Sequence, residues 1–312
     1  MSTAQQHRVL SIGECMVELA RGNDGRFGLA FGGDTFNTAV YLSRLGIATS
    51  YATALGDDPY SDDIVALARH EGIAHNLMLR MPGRMPGLYL IETSAGERSF
   101  WYWRERSPAR ELFELGQEAR LQAAFRSASA IYFSGITLSL YSDRGRDLLA
   151  EGLAEAKAVG AQIVMDSNYR PRGWPGDQAT ARDAFARFWA MADIALPTFD
   201  DEAALWGDAS PAVTVARLRE LGVGEIVVKL GADGAAVAAD DAEPLAVPCP
   251  ARITPVDTTA AGDAFNAGYL AARLCGSSPV DAALAGHRVA GLVVQHRGAI
   301  IPQDAMVGLG QP

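Results

Sequence analysis

Short apolar runs alternate with helical patterns through nearly the whole chain, and this rhythm constrains the fold more than any other feature. "RVLSIGECMVEL", residues 8–19, reads as a strand. "DTFNTAVYLSRLG" follows as a helix, with Phe36, Val40 and Leu45 on an apolar stripe and Gly46 as its stop. "ATSYATALG" is strand-like again. "DDPYSDDIVALARHEG" carries Asp58 as N-cap, Pro59 in the first turn and Gly72 at the end. "AIYFSG", "QIVMDSN", "DIALPT" and "EIVVKLG" read as later strands, each beside a helical segment. Such alternation demands an α/β fold in which a mostly parallel sheet is covered on both faces.

One segment breaks the rhythm. "GLYLIETSAGERSFWYWR" is two apolar-aromatic runs around "TSAGE", the pattern of a hairpin. Placed between helices, it is expected to leave the main sheet and act as a small lid.

Composition narrows the function. At 312 residues with 49% hydrophobic content, the chain can bury a large core. A net charge of −10 argues against nucleic acid as partner. No apolar window reaches membrane-span length, and the opening "MSTAQQHRVLSIGECM" lacks a basic start and long apolar core. The three cysteines, Cys15, Cys249 and Cys275, are odd in number and widely spaced. That pattern fits a reducing compartment, so a cytoplasmic location is expected.

In open α/β sheets, ligands bind at the carboxyl ends of the strands. The punctuated polar clusters "FGGDTFN", "DSNYRPR", "PTFDDE", "KLGADGA" and "DTTAAGD" fall at such ends. In the last, Ala260, Ala261 and Gly262 let a ligand approach the backbone closely, and a helix begins there. Its free N–H groups can stabilise charge on a transferring phosphoryl group, and Asp263 can take a proton from an attacking hydroxyl. The alternative is an N-cap with no chemistry.

"DTTAAGDAFNAG" resembles the C-terminal signature of the ribokinase-like, or PfkB, carbohydrate kinases, although the usual form has glycine where Ala260 stands. "FGGDTFNTAVYLSRLG", residues 31–46, resembles the family's other signature, and the two occur in the family's order. The resemblance covers essentially the whole chain. It implies a single ribokinase-like domain over 1–312: three layers, a mostly parallel central sheet flanked by helices, and a β lid from roughly 13–33 and 86–105. It implies Asp263 as the base, with Gly262 and Ala261 forming the anion hole. Gly32, Gly33, Asp34 and Asn37 would face the sugar.

The lid sequence speaks to which sugar. Arg98, Arg104, Arg106 and Arg110 lie among Phe100, Trp101, Tyr102 and Trp103, and "DSNYRPR" adds Arg170 and Arg172. Arginine grips carboxylates bidentately, so arginines converging from lid and sheet suit a sugar acid. Arg106 and Arg110 read better as surface charges. "FWYWR", "DSNYRPRGW", "FDDEAALWG" and "AAGD" together resemble the sugar-acid branch of the family, which acts on 2-keto-3-deoxygluconate. That branch implies Tyr89 and Tyr102 on the substrate chain and Arg104 and Arg170 at its acid end. It implies Asn168, Lys229, Gly231, Gly234, Ala260 and Gly262 near ATP, with His287 toward the adenine. The glycines of "KLGADGA" could equally make a plain hairpin turn. His296 reads as structural or exposed.

Mg2+ should accompany ATP. Its expected protein contacts, through water, are Asp201 or Glu202 of "PTFDDE", a departure from the family's Asn-x-x-Glu. Exposed aromatic lid strands suggest self-association. Two rival readings are a neutral-sugar kinase and a non-catalytic sugar binder. A dinucleotide oxidoreductase is disfavoured, because "SIGECMVE" lacks the Gly-x-Gly-x-x-Gly turn.

Overall fold

Alternate residues of each central strand enter opposite cores. Leu10, Ile12, Ile131, Phe133, Ile163 and Met165 pack in one buried cluster, while Val9, Ala130, Tyr132 and Val164 pack in another. A sheet buried on both faces needs near-continuous apolar strands, and "AIYFS" and "EIVVK" are buried at every position. The computed structural model describes residues 7–22, 24–94, 97–174, 176, 178–240 and 242–308. The hairpin tip Ala95–Gly96, the side chain of Arg98 and the opening residues 1–6 lie outside the described residues.

Among the described residues two sheets form. The larger contains β1 (Arg8–Ile12), β4 (Ala48–Leu55), β5 (Met78–Arg80), β8 (Ala130–Ser134), β9 (Gln162–Asp166), β10 (Ile194–Ala195), β11 (Glu225–Lys229), β12 (Ala235–Ala239) and β13 (Leu245–Val247). Its order is β13-β12-β11-β10-β9-β8-β1-β4-β5. Pairing is parallel from β11 to β5, and β12 and β13 add an antiparallel edge. The smaller sheet contains β2 (Met16–Arg21), β3 (Phe27–Gly32), β6 (Leu88–Ser94) and β7 (Glu97–Trp103), in the order β3-β2-β6-β7.

The expected single strand over residues 8–19 is instead two, in different sheets. Gly13, Glu14 and Cys15 carry the chain from β1 to β2. Gly13 and the acidic Glu14 interrupt the apolar pattern, but Glu14 and Cys15 are both buried in this link, so no exposed polar turn marks the break. Elsewhere the helix signals act as read. Asp58 caps the Pro59–His70 helix by accepting from the amides of Tyr60 and Ser61, and Gly72 follows at φ 72°. No helix among the described residues is long and apolar enough to cross a membrane.

Register assigns the faces of the small sheet. Leu29, Leu19, Leu90 and Trp101 form one cross-strand row, and Phe31, Val17, Leu88 and Trp103 another on the same face. The intervening row, Ala30, Glu18, Tyr89 and Tyr102, lies on the opposite face.

Candidate active site

The paired glycines exist because other groups come too close for side chains. A Cβ on Gly33 would meet the Glu14 carbonyl oxygen at 2.0 Å, and one on Gly32 would meet the Tyr89 hydroxyl at 3.0 Å. The Asp34–Arg44 helix starts directly after them and turns Asn37 inward. Asn37 Nδ2 donates to Asp263 Oδ2 at 2.8 Å, and Thr38 Oγ1 donates to the Asp263 carbonyl at 3.2 Å. The two signature segments, far apart in sequence, therefore meet through hydrogen bonds.

Asp263 lies in the first turn of the Ala261–Leu274 helix. The preceding residue, Ala260, has φ 60°, the left-handed region that favours glycine. This conformation explains why glycine is usual there. Burial pushes the Asp263 carboxyl up to about 8, and the neighbouring charge of Asp34 pushes the same way; the Asn37 hydrogen bond opposes them. Asp34 is raised too, chiefly by burial, while its Oδ2 accepts from Ser134 Oγ and from Asn168 Nδ2 at 2.8 Å. Asn168 holds φ 30°, an uncommon value for a non-glycine residue beside such a site.

Beneath this turn lies a buried polar network. Lys229 Nζ donates to Asp166 Oδ1 at 2.9 Å and to Asn266 Oδ1 at 3.0 Å. Asn266 Nδ2 donates to Asp166 Oδ2 at 2.8 Å and to the Tyr132 hydroxyl at 2.9 Å. A Cβ on Gly262 would sit 3.8 Å from Lys229 Nζ, so the ammonium lies under the helix start. Lys229 thus points into the protein, where two acceptors hold it. Sequence reasoning missed Asp166, Asn266 and Tyr132. The signal for Asp166 was present, since it ends β9 immediately before the strained "SN".

The lid brings its tyrosines together. The Tyr89 hydroxyl donates to Glu18, and the Tyr89 and Tyr102 rings lie 6.0 Å apart. Arg104 pairs with the buried Glu14 and lies 5.9 Å from the Tyr102 ring. Arg104 also helps hold down the Asp34 carboxyl, which ties the lid electrostatically to the signature turn. Arg170 pairs with Asp201 at 3.2 Å, and Arg172 reaches the Phe100 carbonyl of β7 at 3.4 Å. Neither Glu14 nor Glu18 was singled out in sequence, because both sit inside an apolar run that reads as plain strand.

The remaining positions have local partners. Gly231 and Gly234 close a β11–β12 hairpin at φ 58° and 102°, and a Cβ on Gly234 would meet the Val247 carbonyl at 2.2 Å. His287 packs its ring 4.9 Å from Phe265 and places Nε2 3.3 Å from the Val247 carbonyl; burial lowers its pKa. His296 is held by the Leu292 carbonyl. Asp201 accepts from Ser167 and from the Tyr169 amide, both at 3.2 Å. Glu202 is fully buried, with Oε2 2.6 Å from Arg217 Nη2.

The pfkB family carbohydrate kinase model matches residues 6–306. The chain belongs to the PfkB family of carbohydrate kinases. It is 43% identical over 309 residues to the 2-dehydro-3-deoxygluconokinase of Escherichia coli (strain K12), covering 96% of this chain and 98% of that one. Against the enzyme of that name from Dickeya dadantii (strain 3937), identity is 43% over 303 residues, covering 95% and 97%. An E. coli protein solved as ribokinase II in complex with ATP and Mg2+ superposes with a TM-score of 0.82 at 23% identity, covering 94% of each chain. The fold is therefore ribokinase-like, as the two signatures implied, and the chain is a carbohydrate kinase.

Proposed function

We propose that this kinase transfers the γ-phosphoryl group of ATP to the 6-hydroxyl of 2-keto-3-deoxygluconate, giving the 6-phosphate and ADP. The observation that carries the reading is the Asn37–Asp263 contact, which sets a buried carboxylate against a helix start beside the glycine turn. The names of the full-length relatives support the substrate.

Asn37 takes one oxygen of Asp263, and among the described residues nothing bonds Oδ1. Oδ1 accepts the proton of the sugar hydroxyl. The hydroxyl oxygen then forms its bond to the γ-phosphorus as the bond to the β-bridging oxygen breaks, and ADP leaves with that electron pair. Amides at the Ala260–Gly262 turn, backed by the Lys229 charge, stabilise the transferring group. Asp34 and Asn37 orient the sugar, and Tyr89 and Tyr102 line its chain. Arg104 and Arg170 meet its carboxylate, each held by an acid, Glu14 and Asp201. The lid excludes water from the transfer.

The donor set also speaks to the metal. Among the described residues no three His, Cys, Asp or Glu side chains cluster to hold a metal, and Glu202 already has Arg217. Such a site fits Mg2+ held by the phosphates and most of its waters; Glu202 is sealed off by burial, and Asp201, although paired with Arg170, would meet the ion only through water. When bound, the ion offsets phosphate charge.

The reading extends to assembly and location. Phe27, Leu29, Trp101 and Trp103 are 46–56% exposed, and Leu29, Trp101 and Trp103 share one face of the small sheet. A second copy of this chain is the proposed cover, which light scattering of the parent and of Trp101→Glu would test by self-association in the first and its loss in the second. Free Cys15, Cys249 and Cys275 suit work in the cytoplasm.

The deciding experiment measures ADP release with Mg2+ and ATP, offering 2-keto-3-deoxygluconate, fructose, ribose and gluconate in parallel. Turnover of the keto-deoxy acid alone is expected. Turnover of a neutral sugar instead would overturn the sugar-acid reading and keep the kinase.

A further inference from the structure

Glu14 sits where a carboxylate is costly. It is 1% exposed, in the three-residue link between β1 of the large sheet and β2 of the small one. Burying a charge there is tolerable only with a partner. Its partner is Arg104, at the opposite end of the lid, just after β7. The surroundings make room for this pair. A Cβ on Gly87 would lie 2.8 Å from Glu14 Oε1 and 3.2 Å from Arg104 Cβ, and the Gly33 backbone packs against the Glu14 carbonyl.

The pairing is incomplete. Glu14 Oε2 meets Arg104 Nη2, while Glu14 Oε1 and Arg104 Nε are buried with no aligned hydrogen bond among the described residues. Buried polar atoms of this kind are rare unless something else completes them. A guanidinium has five N–H donors, more than one carboxylate uses. Its stem is held at the sheet junction while its side chain is 20% exposed.

We propose that Glu14 is a positioning residue: it clamps Arg104 at the junction of the two sheets so that the remaining guanidinium donors meet the carboxylate of the sugar acid. This rests on the reading that Arg104 contacts that carboxylate. Arginine side chains lose considerable rotamer freedom on being fixed, and Glu14 takes that cost before substrate arrives.

The sign of one substitution separates positioning from simple charge. Glu14→Gln removes a negative charge near an anionic ligand, so by electrostatics alone it should lower the KM for the acid. Loss of the clamp should raise it. For Glu14→Gln we expect KM for 2-keto-3-deoxygluconate to rise about tenfold, with kcat within about threefold and KM for ATP unchanged. In an Arg104→Ala background the same change should raise KM no further, because the two act as one unit. A thermal melt of each variant checks the fold. Should Glu14→Gln not fold, Glu14→Asp keeps the charge but withdraws it by one methylene, and the same rise in KM is expected. A KM at or below the parent's in whichever variant folds, or an added rise in the Arg104→Ala background, overturns the proposal alone. No turnover of the acid by the parent enzyme overturns the substrate reading and the proposal with it.

Discussion

Two helices begin with acids in their first turns, and the surroundings of those acids differ. Asp263 opens the Ala261–Leu274 helix; Asp201 and Glu202 open the Phe199–Trp206 helix. Asp263 and Glu202 are both buried, and burial pushes them up to about 8 and about 7. What faces them differs. Glu202 has Arg217 at 2.6 Å, itself stacked 4.5 Å from the Trp206 ring and bonded to Asp208. Asp263 has a neutral amide, a second acid in Asp34, and an open oxygen. A carboxylate with a cation is a strut; one among amides and acids suits the proposed role of base.

The largest effect that would break this contrast is at Asp263. Asp263→Asn should cut kcat by about 10²–10⁴-fold, the worth of a positioned general base, with the fold intact. Turnover within a few-fold of the parent would remove Asp263 from the chemistry. Arg217→Ala should act on stability instead. It leaves Glu202 buried and without its arginine, at a cost of about 3–5 kcal/mol by denaturant unfolding, with little change in kcat. A collapse of kcat in a folded Arg217→Ala protein would place Glu202 in the site after all.

The pH dependence sharpens the same point. Asp263 must be ionised to accept a proton, so kcat/KM should climb with pH and level off above about 8. The stability sign is the reverse. A carboxyl raised in the folded state favours folding at low pH, and that contribution is lost as pH rises through about 8. The melting temperature of Asp263→Asn should therefore gain on the parent's as pH increases; a gain that shrinks with pH would contradict the assignment. The smallest effect is Ala260→Gly. It relieves left-handed strain but adds unfolded-chain entropy, so stability should change by no more than about 1 kcal/mol. A melting temperature several degrees lower would mean that the Ala260 side chain packs in a way its backbone angle does not suggest.

Much of this was legible before any coordinates. The α/β class followed from periodicity, because a helix or strand must bury a face whose spacing is written in the chain. Asp58 and Gly72 announced their helix, since caps act through neighbours in sequence. Asp263 stood out because a glycine and alanine turn before a helix marks close backbone approach, whereas Asn37 was implied by the resemblance to the family signature. The sequence by itself thus determined fold class, lid hairpin and the two signature turns. The tertiary structure alone decided which acid meets which base. It joined Asn37 to Asp263, Glu14 to Arg104, Lys229 to Asp166 and Glu202 to Arg217. It also split residues 8–19 between two sheets. The reason is physical: local propensity acts over a few residues, whereas the role of a buried charge depends on partners that only folding brings within hydrogen-bond reach.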